Sequence, residues 1–177
     1  MAGEVNFVRA HIDQLTEIME IVAEAQEYFR KSGIDQWQNG YPNEEIIAGD
    51  IQAGNSYVLI SGGRIIATAA LTFGDDPNYT EIVDGTWLSP GPYGALHRIA
   101  LRGEYKGQGL SSRILAEMTE ICLERGVYSL RSDTHRDNTS MQRMLDKNGF
   151  KLCGVIHLAD GSPRLAFEKI LNRKGRG

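Results

Sequence analysis

The chain has 177 residues, a net charge of −4 and a pI near 5.6, with 24% charged and 41% hydrophobic residues. That is ordinary for a single globular domain with a real core. The acidic balance argues against a nucleic-acid binder that relies on a broad basic surface. No apolar run is long enough to span a bilayer, and the N-terminus lacks the regions of a signal peptide, so the expected location is cytoplasmic. Cys122 and Cys153 form no motif and read as reduced residues filling core space.

Residues 4–9 alternate as a short strand. Over 13–31 the apolar positions Leu15, Ile18, Met19, Val22, Ala23, Ala25 and Phe29 recur at helical spacing, with Asp13 as the expected cap and Gly33 as the stop. A second helix opens after Asn43 and runs to about Ala53. Strands follow at 57–60 and 64–73, joined at Gly62 and Gly63, a pair suited to a tight primed turn. A long connection, 74–92, holds a short strand around 81–83 and is of functional length. The remaining elements are a strand at 95–101, a helix at 109–126 and a strand at 127–132. A helix at 137–148 closes on Gly149, and strands at 150–158 and 165–170 turn at Asp160 and Gly161. Residues 1–171 form one expected domain, and 172–177 a frayed basic tail. The order β-α-α-β-β-β-α-β-α-β-β implies an α/β fold of the α+β type, a mixed sheet with helices on both faces.

The segment 102–115 carries the strongest chemical signal. Gly107 and Gly109 sit where an apolar strand meets an amphipathic helix. A glycine-rich turn opening a helix aims several backbone N–H groups at one spot, where the helix dipole also favours an anion. Lys106 adds a mobile positive charge. The turn is no dinucleotide fingerprint, because it lies mid-chain and lacks a third glycine, and no Walker loop is present.

The spacing Lys106-x-x-Gly109-x-Ser111 resembles the [Q/R]-x-x-G-x-[G/A] signature of the GNAT superfamily of acyl-CoA-dependent N-acetyltransferases. Lys106 and Ser111 depart mildly from it. The run from Asn138 to Phe150 resembles the family's N-x-x-(A/S)-x-x-L-Y-x-K-x-G-F segment. The resemblance is strong over 95–154 and rests upstream on element order alone. It implies a central twisted sheet of about seven strands flanked by about four helices, splayed between the fourth and fifth strands. It also implies acetyl-CoA as the acyl donor. The backbone of Ile99, Ala100 and Leu101 would pair with the pantetheine arm as an added strand. The N–H groups of Gly107, Gln108, Gly109, Leu110, Ser111 and Ser112, with Lys106, would hold the pyrophosphate. Asn138 would bond the pantetheine from the far side, and Met141 is counted with it among the cofactor-binding residues.

Direct transfer to an amine needs a base. A lysine-like amine has a pKa near 10.4, so only about one molecule in 10³ is neutral at pH 7. Aligned with the family's L-E-R-L-x-V, residues 96–101 put His97 at the usual glutamate. An imidazole with an ordinary pKa near 6.5 suits the task. The alternative is that His97 is a half-buried strand residue bonded to a neighbour. Strict alternation puts Arg98 on the opposite face from His97 and Ile99, pairing structurally with a carboxylate. The family's tyrosine acid falls on Leu145. That loss costs on the order of 10²–10⁴ in rate, so activity remains compatible with the sequence.

Asp133-x-His135-x-Asp137 has no partner cluster, so no metal is expected. It reads as a turn and helix cap, with His135 lining a substrate entrance. Trp37, Tyr41, Trp87 and Tyr93 are candidate acceptor-binding residues. An aromatic and acidic lining suits a cationic amine, whereas the tryptophans equally read as anchors of long loops. The acceptor class is a small-molecule or peptide amine, without nucleic acid or membrane, and a homodimer is compatible with the family. Two other readings stand: a catalytically silent acyl-CoA-binding or sensing module, and a nucleotide-binding α/β domain using the turn for another phosphate.

Overall fold

The computed structural model describes residues 3–172. The expected basic tail falls mainly on 173–177, outside the described residues. Seven strands follow the order β1-β2-β3-β4-β5-β7-β6. They are β1 (Val5–Arg9), β2 (Ser56–Ser61), β3 (Arg64–Phe73), β4 (Gly94–Leu101), β5 (Ser129–Thr134), β6 (Lys151–His157) and β7 (Pro163–Ile170). Four α-helices accompany them: α1 (Leu15–Ser32), α2 (Glu44–Gln52), α3 (Leu110–Glu124) and α4 (Thr139–Lys147). The β4–β5 pair is parallel, and its ladder is confined to Gly94–Leu130 and Ala95–Arg131. The other ladders resolved, β1–β2, β2–β3, β5–β7 and β6–β7, are antiparallel. The described residues divide into two compact units, one within 1–71 and 97–114, the other within 72–96 and 115–177.

In the first unit, α1 and α2 bury stripes dictated by helical periodicity. Ile18, Ile21 and Val22 on α1 and Ile47 and Ile51 on α2 pack with Val58, Ile65 and Ala100 from the strands. Each of these isoleucine and valine side chains stabilises by about 1.5–3 kcal/mol on full burial. Gly62 and Gly63 adopt φ of 57° and 78°, the left-handed pair that a primed hairpin requires. Asn43 Oδ1 accepts from Ile46 N at 2.9 Å, as expected of the α2 cap. The α1 cap is a correction. Asp13 lies inside a 3₁₀ turn, Ile12–Gln14, where the His11 N–H donates to Gln14 Oε1 at 2.8 Å. The glutamine carbonyl meets that N–H three residues back, so the chain begins to wind before Asp13.

The second unit packs Tyr79, Tyr93, Ala95, Ile156 and Ala166 together. Residues 81–83 form no strand; Val83 makes one isolated antiparallel bridge to Val155. Gly85 and Gly154 explain the close approach. A Cβ at Gly85 would lie 1.8 Å from Cys153 O, and one at Gly154 2.5 Å from Val83 O. The strand expected at 127–132 is shifted to Ser129–Thr134, where it pairs residue by residue with β7 from Ile170 back to Leu165. The last helix begins at Thr139 instead of 137, because Asn138 Oδ1 caps it by accepting from Met141 N at 3.2 Å. Gly149 ends it as expected, at φ 85°. Both cysteines are free and buried. Burial pushes the Cys122 thiol up to about 12 against the pull of Arg125. Among the described residues no helix is long and apolar enough to cross a membrane.

Candidate active site

The glycine turn is fastened at its entrance. Arg102, only 4% exposed, donates from Nε to Ile65 O at 2.8 Å. Its guanidinium also reaches Glu20 at 3.0 Å, Glu24 at 3.2 Å and Glu17 at 3.7 Å. Three carboxylates at i, i+3 and i+7 share one face of α1, so the helix presents a ladder to this arginine. Gly103 N donates to Glu24 Oε2 at 3.1 Å, and Arg102 N to Ile66 O at 2.9 Å. With side chain and backbone both held, the turn leaves β4 in a set direction.

Beyond it, Gly107 and Gly109 take φ of 77° and 76°. A Cβ on either would meet nothing within 4 Å. The backbone needs glycine there, and open space lies over it. Helix α3 then starts at Leu110, with Arg113 N bonding back to Gly109 O at 3.2 Å. N–H groups ahead of that bond have no acceptor within the helix. This arrangement fits a phosphate. Lys106 rests with Nζ 3.8 Å from the Tyr28 ring centroid, a cation–π contact that parks its charge beside the turn.

Strand β4 is not regular. Arg98 has φ 51°, so the strict alternation expected across His97, Arg98 and Ile99 fails there. A left-handed residue within a strand interrupts the pleat. The expected pairing with a carboxylate is present: Arg98 Nε and NH2 meet Asp50 Oδ2 and Oδ1 at 2.6 and 2.7 Å. Its NH1 donates to the Tyr41 hydroxyl at 3.0 Å. Tyr41 ends a loop tied to α1, since Gln26 Nε2 donates to Tyr41 O at 2.8 Å and Gln38 Nε2 to Gln26 O at 3.1 Å. Trp37 packs on Phe29 edge to face, with centroids 5.9 Å apart. His97, Ile99 and Leu101 are half-buried and Ala100 is buried.

In the second unit, Asn138 and Met141 meet through the α4 cap. His135 Nδ1 accepts from Asp137 N at 3.0 Å, as a turn cap. Trp87 and Tyr93 sandwich the Arg131 guanidinium at 4.1 and 4.0 Å. Trp87 Nε1 donates to Tyr79 O at 3.0 Å, and Tyr93 Oη accepts from Asp76 N at 2.7 Å. Tyr79 donates to Asp133 Oδ1 at 2.6 Å, and burial first, then the Asp133 charge, pushes its phenol well above the ordinary range. Leu145, at the place of the family's tyrosine, is fully buried.

The sequence model of the acetyltransferase (GNAT) family matches residues 16–150. The chain belongs to the GNAT acetyltransferase family. A GNAT-family acetyltransferase from Streptococcus agalactiae is 33% identical, with 98% of this chain and 99% of that chain covered and a TM-score of 0.87. A GNAT-family acetyltransferase from Listeria monocytogenes is 20% identical, covering 97% and 98%, with a TM-score of 0.73. The PaiA N-acetyltransferase from Thermoplasma acidophilum, solved with coenzyme A, is 18% identical, covering 94% and 99%, at 0.70. Comparison with curated proteins gives no match.

Within this GNAT chain, the first unit holds His97, Ile99, Ala100, Leu101, the 106–112 turn, Trp37 and Tyr41. Asn138, Met141, His135, Trp87 and Tyr93 lie in the second. Sequence reasoning missed Asp50, the Glu17–Glu20–Glu24 ladder and the meeting of Arg131 Nε with Glu168 Oε1 at 3.2 Å. Only the ladder carried a signal, its helical spacing.

Proposed function

We propose that the chain transfers an acetyl group from acetyl-CoA to a primary amine of a small molecule or peptide, by direct attack in a ternary complex. The observation that carries this reading is the turn at 106–112, with two left-handed glycines, open space above them and a helix N-terminus behind. When bound, acetyl-CoA supplies the activated thioester. The backbone N–H groups of Gly107, Gln108, Gly109, Leu110, Ser111 and Ser112 bind the pyrophosphate, and Lys106 swings from Tyr28 to add its charge. The peptide groups of Ile99, Ala100 and Leu101 pair with the pantetheine arm, and Asn138 and Met141 contribute from α4. His97 accepts the proton of the incoming ammonium, directly or through one water. Trp37, Tyr41, Trp87, Tyr93 and His135 are the residues assigned to the acceptor.

Leu145 favours a second reading. A buried leucine cannot donate a proton to a departing thiolate, which suits a silent acyl-CoA-binding module on the same fold. Calorimetric titration with coenzyme A, followed by thiol release from acetyl-CoA across a panel of amines, separates the two. Acetyl-CoA binding without acetylation of any amine, even at high pH, makes the silent module correct. Binding of ATP or NAD in place of coenzyme A overturns both.

A further inference from the structure

A non-glycine residue with φ near +50° inside a strand is uncommon and persists only where its surroundings over-determine it. Arg98, at φ 51°, is such a residue, between His97 and Ile99. Its side chain is held from two directions. Asp50 on α2 takes it in a two-pronged pair at 2.6 and 2.7 Å, with side-chain exposures of 14% and 12%. Tyr41, from the loop before α2, accepts a third bond at 3.0 Å. The planar guanidinium fits a carboxylate in one plane only, so gripping its far end restricts the backbone it grows from.

We propose that Asp50 is a positioning residue for β4: by clamping Arg98 it keeps the strand in its left-handed break and so sets the direction of the peptide groups at 97–101. Its consequence for cofactor binding rests on the assignment of Ile99–Leu101 to the pantetheine arm. Tyr41 joins the acceptor-side loop to the same clamp, so a change at either end reaches the β4 backbone.

Two double variants separate the backbone effect from the lost ion pair. R98A/D50N and R98G/D50N both remove the clamp without stranding a buried charge. They differ only in that glycine accepts φ 51° and alanine resists it. Hydrogen exchange read by mass spectrometry over 97–101, without ligand, is expected to be faster in R98A/D50N and to return toward wild type in R98G/D50N. The coenzyme A Kd is expected to rise about tenfold in the alanine double and largely recover in the glycine one. Equal exchange and equal affinity in the two doubles overturn the proposal. If exchange separates them but the wild type binds no coenzyme A, the clamp stands and the acetyltransferase reading falls. Should either double fail to fold, Asp50→Asn alone decides. Exchange that quickens over 97–101 more than over the rest of the chain supports the clamp, and exchange there that matches wild type, or rises only in step with the rest of the chain, refutes it.

Discussion

Arg131 Nε and Glu168 Oε1 meet at 3.2 Å inside the second unit, at 5% and 0% exposure. The carboxylate also accepts from the Ser129 and Ser89 hydroxyls and from Leu88 N, and Arg131 NH2 donates to Ser89 O at 2.7 Å. This pair ties the loop before β4 to β5 and β7.

Removing one partner of such a pair leaves a buried charge and costs about 3–5 kcal/mol, so Glu168→Gln is expected to lose that much in urea unfolding at pH 7. Burial pushes the Glu168 carboxyl up, but the bonds from Ser129, Ser89 and Leu88 and the Arg131 charge bring it below its ordinary 4.5. Its contribution is therefore complete above about pH 4.5 and lost as pH falls through the folded-state value. The stability gap between wild type and Glu168→Gln should narrow from pH 5 to pH 3. A gap that widens toward acid contradicts this account.

Gly85 lies against backbone, so no side chain can move aside for a new methyl 1.8 Å from Cys153 O. Gly85→Ala is expected to lower unfolding free energy by about 1–3 kcal/mol. Gly91, in the same loop with nothing within 4 Å of its Cβ position, is the control. Gly91→Ala should stay within about 0.5 kcal/mol of wild type.

The phosphate assignment predicts a loss specific to the ligand. Gly109→Val places a branched side chain in the open space above the turn, at a φ of 76° that suits glycine. Calorimetry should show coenzyme A affinity falling at least about tenfold, or 1.4 kcal/mol. Retained affinity would mean that the turn is structural only.

For His97, the expected signature is a pH profile. His97→Ala should lower kcat by on the order of 10²–10⁴ near neutrality and recover partly at high pH, where the amine deprotonates itself. An unchanged profile removes His97 from the mechanism.

Much of the fold could be read from local pattern. The Gly62–Gly63 turn, the Asn43 cap and the Gly33 and Gly149 stops each depend on residues within a few positions of one another. So does the glycine turn at 107–109. The misreadings at Asp13 and at the start of the last helix were local; others occurred where distant partners intervened. Residues 81–83 look like a strand, but the bridge to Val155 engages Val83 alone. Arg98 sits in a run whose pattern demands alternation, and no local residue signals its left-handed φ.

The chain's own chemistry was enough for the glycine turn, the Asn43 cap and an arginine on β4 in need of a carboxylate. It could not say which carboxylate. Asp50 lies 48 positions from Arg98, Glu20 lies 82 from Arg102, and Glu168 lies 37 from Arg131. Sequence spacing carries no information about such meetings, because any of the 23 acidic residues could neutralise a given arginine in an open chain. Strand register and helix packing select one of them, and burial then makes that choice costly to change.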